Sequence, residues 1–282
     1  KKRACYDKFI QFAGRPIERA ELPFEGKSLS ALLHLPRHLK AGEKVPAILY
    51  IPGMDGVKED NPIYGDPFLE RGVAVFAIDG PGQGETRARG IKCTASNCEN
   101  AGRLACDYLV KRPEIDPNRI ALMGSSMGSY WGTRVAAAES RLKACALSGV
   151  CVEPGQYSIF NTASPTFKLN YMYMAGYDNE EAFDEFAKTL TLKGVAAKIT
   201  CPYLIVAGED DELCPIGFVY EVMDEVRSPK VLMVYEGEKH SIRNPRSRTL
   251  LVDWLVDRLA GKPVKSGKIY VEMSGREIHT AW

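Results

Sequence analysis

Ile120-Ala121-Leu122-Met123-Gly124-Ser125-Ser126-Met127-Gly128 runs from an apolar stretch into a helix-like segment that continues to Glu139. An apolar run, a glycine-flanked serine and a helix together form the strand-turn-helix setting in which G-x-S-x-G carries chemistry. A turn this sharp lifts the serine above the sheet edge, and glycines flank it because a Cβ there would strike the neighbouring strand or helix. Ser126 is the candidate nucleophile. A tight βα turn without chemistry is the alternative, and the partners decide between them.

In parallel sheets of this kind the acid and the histidine follow the serine, each at the carboxyl end of a later strand. Tyr203-Leu204-Ile205-Val206-Ala207, bounded by Pro202 and Gly208, reads as a buried parallel strand, and Glu209, Asp210, Asp211 and Glu212 follow at once. Val231-Leu232-Met233-Val234-Tyr235 is the next such run, after which a short loop delivers His240. Of the four histidines, His34 falls in an expected early strand, His38 just after it and His279 in the tail, so His240 alone has the right order. The acid is either Asp211 or Asp210. Asp211 is preferred because it stands three residues past Gly208, before Leu213-Cys214-Pro215 opens a helix. There it would hold the Nδ1 proton of His240 and direct Nε2 at Ser126.

An oxyanion needs donors aimed at charge that develops only in the transition state. The backbone N–H of Met127 is one candidate. Met54 is the other, in the glycine-rich loop Pro52-Gly53-Met54-Asp55-Gly56 after the expected strand 47–51.

Strands and helices alternate over most of the chain: strand 47–51, helix near 63–71, strand 73–78, helix 98–112, strand 119–123, helix 127–139 and strand 144–149. Such alternation predicts a mostly parallel sheet covered by helices on both faces. Ile17 to Pro23 and Ser28 to Leu35 read as an antiparallel pair turned at Glu25-Gly26-Lys27. Between Cys151 and Ile199 the alternation stops and aromatic residues crowd: Tyr157, Phe160, Phe167, Tyr171, Tyr173, Tyr177, Phe183 and Phe186. This interval is expected to be a helical cap over the nucleophile, most of its rings packing the cap and a few facing an apolar or aromatic ligand. Lys268 to Met273 and Arg276 to Thr280 suggest a hairpin about Ser274-Gly275, acting as an edge strand or as a subunit contact in a homodimer.

These motifs resemble the α/β-hydrolase superfamily: Asp116-Pro117-Asn118-Arg119-Ile120 leading into the serine motif, Ala77 to Glu85 with its Asp-Gly-Pro-Gly-Gln-Gly core, and Gly208 through Pro215. More narrowly, Pro52 to Glu59, Pro23 to Leu29 and Cys201-Pro202 are similar to the branch that holds 2,6-dihydroxypseudooxynicotine hydrolase, the fungal pigment protein that shortens polyketide chains, and the FrsA-like esterases. The resemblance covers about residues 3–261. It implies the α/β-hydrolase fold with an inserted cap, and cleavage of an ester or of a carbon–carbon bond beside a ketone by a serine triad with no metal and no cofactor. It also implies an extra active-site glutamate, for which Glu153, just past the strand 144–149, is the candidate. Two departures stand out. The usual His-Gly of the oxyanion loop is Pro52-Gly53, and of the branch's N-terminal helical domain only residues 1–14 are expected here, as in a truncated or processed product. The expected division is therefore 1–14, a core of 15–151 with 198–261, a cap of 152–197 and a tail of 262–282. Asp79 precedes the serine, and its Asp-Gly-Pro-Gly setting reads as a structural turn.

Composition narrows the function classes. With 37 basic against 36 acidic residues and a net charge of +1, the 282-residue chain offers no electrostatic footprint for nucleic acid or an anionic membrane. No apolar run approaches the length of a membrane span. The eight cysteines include no C-x-x-C pair and no histidine at ligand spacing, which argues against zinc. Most read as small buried hydrophobes of a cytoplasmic enzyme, with Cys93 and Cys98 the one pair placed to join. The readings that remain are a cytoplasmic serine hydrolase of a small, apolar or aromatic molecule, a peptidase of the oligopeptidase type, and a binding protein that kept the fold without the chemistry. The peptidase is disfavoured by the lack of a propeller-sized domain, and the binding protein by the presence of Ser126, Asp211 and His240 together.

Overall fold

The computed structural model describes residues 2–282, so Lys1 of the expected N-terminal segment lies outside the described residues. Ten strands form one sheet: β1 (Ile17–Phe24), β2 (Lys27–His34), β3 (Val45–Ile51), β4 (Ala74–Asp79), β5 (Ile115–Ser126), β6 (Cys145–Val150), β7 (Tyr203–Gly208), β8 (Lys230–Tyr235), β9 (Gly267–Val271) and β10 (Glu277–Ala281). Their order is β1-β2-β4-β3-β5-β6-β7-β8-β9-β10. From β4 to β9 every neighbour is parallel, and antiparallel pairs close both edges, β1 on β2 and β9 on β10. This is the mostly parallel α/β sheet that the alternation predicts. The central strands β3, β4, β7 and β8 are buried almost throughout, which is why they read as continuous apolar runs.

The helices are α1 (Lys2–Phe12), α2 (Asn61–Tyr64), α3 (Asp66–Leu69), α4 (Gly84–Ala88), α5 (Asn97–Val110), α6 (Met127–Ala138), α7 (Pro165–Ala175), α8 (Glu180–Ala187), α9 (Ile216–Glu225) and α10 (Pro245–Leu259). One face of the sheet packs on α5, α6 and α9, and the other on α3 and α10. Boundaries differ from expectation where backbone geometry overrides composition. The single helix expected near 63–71 is two short ones, α2 and α3, broken at Gly65. The first hairpin turns on Glu25 and Gly26 alone, both at positive φ, and this pairs Lys27 with Phe24. The short helix α4 escapes the pattern reading because its glycine-rich start and its charges hide it.

Residues 152–197 form α7 and α8 with short turns on either side. Asn179 caps α8 by accepting the N–H of Ala182, and Gly176 ends α7 in the left-handed conformation. This segment rests on the loop 80–93: Cys93 N–H donates to Met174 O at 2.9 Å and Arg87 Nε to Tyr173 O at 2.7 Å. It also reaches the loop after β3, where Asn170 Nδ2 donates to Asp55 Oδ1 at 2.6 Å.

His34, at the end of β2, is buried and its Nε2 has no partner among the described residues. Burial pushes its pKa down from 6.5 to about 4, with Asp66 opposing and Arg15 adding to the effect. A base with a depressed folded pKa leaves the unfolded chain holding more protons at acid pH. Stability therefore declines as pH falls from 6.5 toward 4, by on the order of 3 kcal/mol in total, and the loss levels off below that. His34→Leu is expected to flatten this part of the stability profile. Urea unfolding of both proteins at intervals across the window checks it, and an equal acid slope in the variant would reject the assignment.

Candidate active site

β5 runs to Ser126, where the chain turns sharply into α6. Ser126 adopts φ 52° and ψ −128°, a backbone state that costs a non-glycine residue about 1–3 kcal/mol and persists because its surroundings enforce it. Those surroundings explain the two glycines. A Cβ on Gly124 would meet the Gly128 carbonyl and, at 2.9 Å, Leu147 Cδ2, and one on Gly128 would meet the Ile51 carbonyl. The motif is thus read out as close backbone approach between β3, β5 and α6.

The loop after β8 brings His240 to this point, with Nε2 2.9 Å from Ser126 Oγ. Its Nδ1 lies 2.8 Å from Asp211 Oδ2. The other oxygen of Asp211 accepts the N–H groups of Leu213 at 2.8 Å and Cys214 at 3.2 Å, so the carboxylate is held before the histidine uses it. Asp211 is buried and Asp210 exposed. The Sγ of Cys151 is 3.9 Å from Ser126 Oγ. Burial raises that thiol well above its ordinary pKa, so it stays neutral beside the hydroxyl.

The loop after β3 is fixed by the Asp79 turn and by Gln83 and Lys58, which the sequence reading did not single out. Gln83 is buried, and its Nε2 donates to Gly53 O at 2.9 Å and Pro52 O at 3.3 Å, while its Oε1 accepts Gly80 N–H at 3.1 Å. Because the peptide unit is planar and trans, tying the Gly53 carbonyl to Gln83 turns the Met54 N–H the opposite way. A Cβ on Gly53 would come within 2.9 Å of Ser126 Cβ, so this loop passes directly over the serine. Farther along the loop, Lys58 is fully buried with Nζ 2.8 Å from Asp79 Oδ2 and 2.9 Å from Glu59 Oε1. Burial alone would lower the pKa of Lys58, but the charge and hydrogen bond of Asp79 outweigh it and the net direction is up. Asp79 also accepts the backbone N–H groups of Lys58 and Glu85. The Asp79-Gly80-Pro81-Gly82-Gln83 turn is therefore the anchor of the loop that carries Met54. Gln83 was legible only as part of a glycine-rich turn.

A cleft of about 340 Å³ opens at Ser126 and His240 and runs toward the α10 side of the sheet. Its apolar walls are core residues, among them Tyr50, Met54, Tyr64, Met123, Val206 and Leu251. The expectation that some rings of the 152–197 segment face the substrate is corrected here: no residue of that segment lines the cleft. Phe160, Tyr171, Tyr177, Phe183 and Phe186 instead stack on one another, and Tyr171 on Trp131 of α6. Aromatic edges and faces satisfy each other at 5–6 Å, so the cluster closes on itself. Tyr64 supplies the aromatic surface, backed by the fully buried Tyr50 ring stacked on it at 5.2 Å. The Tyr50 hydroxyl lies 3.3 Å from Ser125 Oγ, and burial raises its pKa, leaving a neutral phenol.

Glu153 is buried, but its carboxylate accepts the Ser158 N–H at 2.8 Å and does not line the cleft. It ties the start of the 152–197 segment and is not among the residues that line the cleft with Ser126 and His240. Cys93 and Cys98, the one pair placed to join, are not joined. Both are free and buried, Cys98 in the first turn of α5 and Cys93 with its Sγ 3.5 Å from the Tyr171 hydroxyl. No helix among the described residues is long and apolar enough to cross a membrane.

The family model of the prolyl oligopeptidase family matches residues 66–260. The chain belongs to the prolyl oligopeptidase family. This family member is a serine hydrolase of α/β-hydrolase fold, in the branch that the motifs suggested. It is 30% identical over 269 residues to the 2,6-dihydropseudooxynicotine hydrolase of Paenarthrobacter nicotinovorans, covering 94% of this chain and 71% of that one. The crystal structure of the 2,6-dihydroxy-pseudo-oxynicotine hydrolase superposes with a TM-score of 0.84 at 29% identity, over 93% of this chain and 74% of that one. The 20-hydroxy-prefusarin hydrolase of Gibberella moniliformis is 29% identical over 195 residues, which span 66% of this chain and 45% of that relative. Other fungal hydrolases of the branch are matched over about a third to under half of their own length.

Proposed function

We propose that Ser126, His240 and Asp211 form the catalytic triad of a hydrolase that cleaves an ester, or a carbon–carbon bond beside a ketone, in a small apolar or aromatic molecule. The observation that carries this reading is the continuous chain of contacts from Ser126 Oγ to His240 Nε2 at 2.9 Å and from His240 Nδ1 to Asp211 Oδ2 at 2.8 Å, at the mouth of the cleft. His240 takes the proton of Ser126 as Oγ adds to the substrate carbonyl, while Asp211 holds the imidazole in the tautomer that leaves Nε2 free and stabilises the imidazolium. The Met127 N–H has no intrahelical acceptor at the start of α6, and the Met54 N–H is turned away from Gln83. Both suit an oxyanion on the carbonyl oxygen. His240 then returns the proton to the leaving group, and water releases the acid from Ser126.

For an ester the leaving group departs as an alkoxide. For a ketone it departs as a carbanion equivalent, which a neighbouring carbonyl or an electron-rich ring must stabilise. The relatives named for hydrolysis of 2,6-dihydropseudooxynicotine and of 20-hydroxy-prefusarin support a small-molecule substrate. Membership of a family named for oligopeptidases supports amide cleavage as the second reading. Seven buried free thiols favour a reducing, cytoplasmic setting. Turnover of 4-nitrophenyl acyl esters, an aryl β-diketone and an aminoacyl 4-nitroanilide separates these. The expected result is burst kinetics on an ester or the diketone with slow anilide cleavage, and preference for the anilide would replace this reading with the peptidase one.

A further inference from the structure

One wall of the cleft is a continuous series of side chains that begins beside the nucleophile and ends at a cation. Ser125, next to Ser126, shares a hydrogen bond of 3.3 Å with the Tyr50 hydroxyl. The Tyr50 ring stacks on Tyr64 at 5.2 Å. The guanidinium of Arg248, in the first turns of α10, lies over the Tyr64 ring, 5.4 Å from its centroid. Arg248 is exposed at the cleft wall and forms no ion pair or hydrogen bond with another described residue. The contact with the Tyr64 ring leaves its N–H donors unused, and those donors are arranged as a fork that matches a carboxylate.

The other charged groups at the cleft are already engaged. Asp60 Oδ2 accepts the Val57 N–H at 2.9 Å, and its Oδ1 lies 3.8 Å from Lys2 Nζ. Asp55 Oδ1 accepts Asn170 Nδ2 at 2.6 Å. Arg248, by contrast, has donors that no other described residue fills.

We propose that Arg248 is a specificity-determining residue that binds a carboxylate, or an equivalent oxyanion, at the end of the substrate remote from the scissile carbonyl. The apolar middle of the substrate then lies along Tyr64, which the buried Tyr50 ring supports. The proposal builds on the reading of Ser126 as nucleophile, since that fixes which end of the molecule reacts. The preferred substrate class is an acyl or aryl-ketone compound bearing an acid group about two ring widths from the reacting carbon.

The test is binding, so that it stands apart from turnover. Affinities of 4-phenylbutanoate, 4-phenylbutanamide and 4-phenylbutylamine are measured by calorimetry for the whole protein and for its Arg248→Gln and Arg248→Lys variants, with melting temperatures to show that the variants fold. A charge-assisted bidentate contact predicts that the carboxylate binds the unaltered protein at least about tenfold tighter than the amide. Arg248→Gln brings that ratio to about one, and Arg248→Lys leaves an intermediate value, because a point charge keeps attraction but loses the fork. The proposal is overturned if the unaltered protein shows no carboxylate preference, including no measurable carboxylate binding. It is likewise overturned if the preference survives in Arg248→Gln, or if the amine binds most tightly. Failure of the Ser126 reading registers separately, as absence of ester and ketone turnover.

Discussion

Ser126→Ala lowers kcat on the best ester or ketone substrate by about 10⁴- to 10⁶-fold and abolishes covalent labelling by a fluorophosphonate, while the protein stays folded. The expectation rests on the hydroxyl being the atom that forms the acyl-enzyme: without Oγ there is no bond to the substrate carbon, and His240 has nothing to deprotonate. What survives is water attack assisted by backbone donors and by binding alone. Folding should be spared because the strained φ of 52° belongs to the backbone, enforced by close contacts at Gly124 and Gly128, and alanine presents the same Cβ as serine. Active-site titration with the fluorophosphonate, followed by mass spectrometry of the peptide that carries residue 126, is the direct check. A stoichiometric adduct on another residue, or labelling that persists in the variant, would remove Ser126 from the mechanism.

Asp211→Asn lowers kcat by about 10⁴-fold, whereas Asp210→Asn changes it little. In Asp211→Asn the amide can still accept the N–H groups of Leu213 and Cys214, so the loop keeps its shape. It can then present an NH₂ to His240, which favours the tautomer whose Nε2 carries a proton and cannot accept one from Ser126. The imidazolium also loses its counter-charge. Asp210 is exposed, and its backbone N–H, rather than its carboxylate, makes the contact to Glu238 O at 2.9 Å. Parallel kinetics on the two asparagine variants decide between the neighbours. Equal losses, or a larger loss at position 210, would transfer the role.

Much of the fold was legible because its signals are local. The serine motif between an apolar run and a helix is a statement about nine consecutive residues. The buried strands β3, β4, β7 and β8 announce themselves as short apolar runs because helices or loops cover both faces of the sheet. His240 could be singled out because the other three histidines fall before the serine or in the tail. Errors arose where a composition had two packings of similar chemistry. The aromatic residues of 152–197 suit a ligand wall and a self-stacked cluster equally well, and the structure adopts the second. Cys93 and Cys98 lie close in sequence, yet α5 begins between them, and the buried Cys93 thiol sits 3.5 Å from the Tyr171 hydroxyl instead. For Glu153, the auxiliary candidate, the sequence shows the strand end but not that Oε2 accepts the Ser158 N–H.

The sequence by itself determined the order of strands and helices, the turn that raises Ser126, and the region of chain from which a histidine and an acid could come, since periodicity and turn chemistry are properties of adjacent residues. Tertiary structure alone decided which carboxylate turns inward to His240, that Gln83 holds the Gly53 peptide over Ser126, and that the cleft runs along Tyr50 and Tyr64 to Arg248. Those pairings join residues from separate strands and loops, and they depend on sheet order and side-chain direction, which no local pattern encodes.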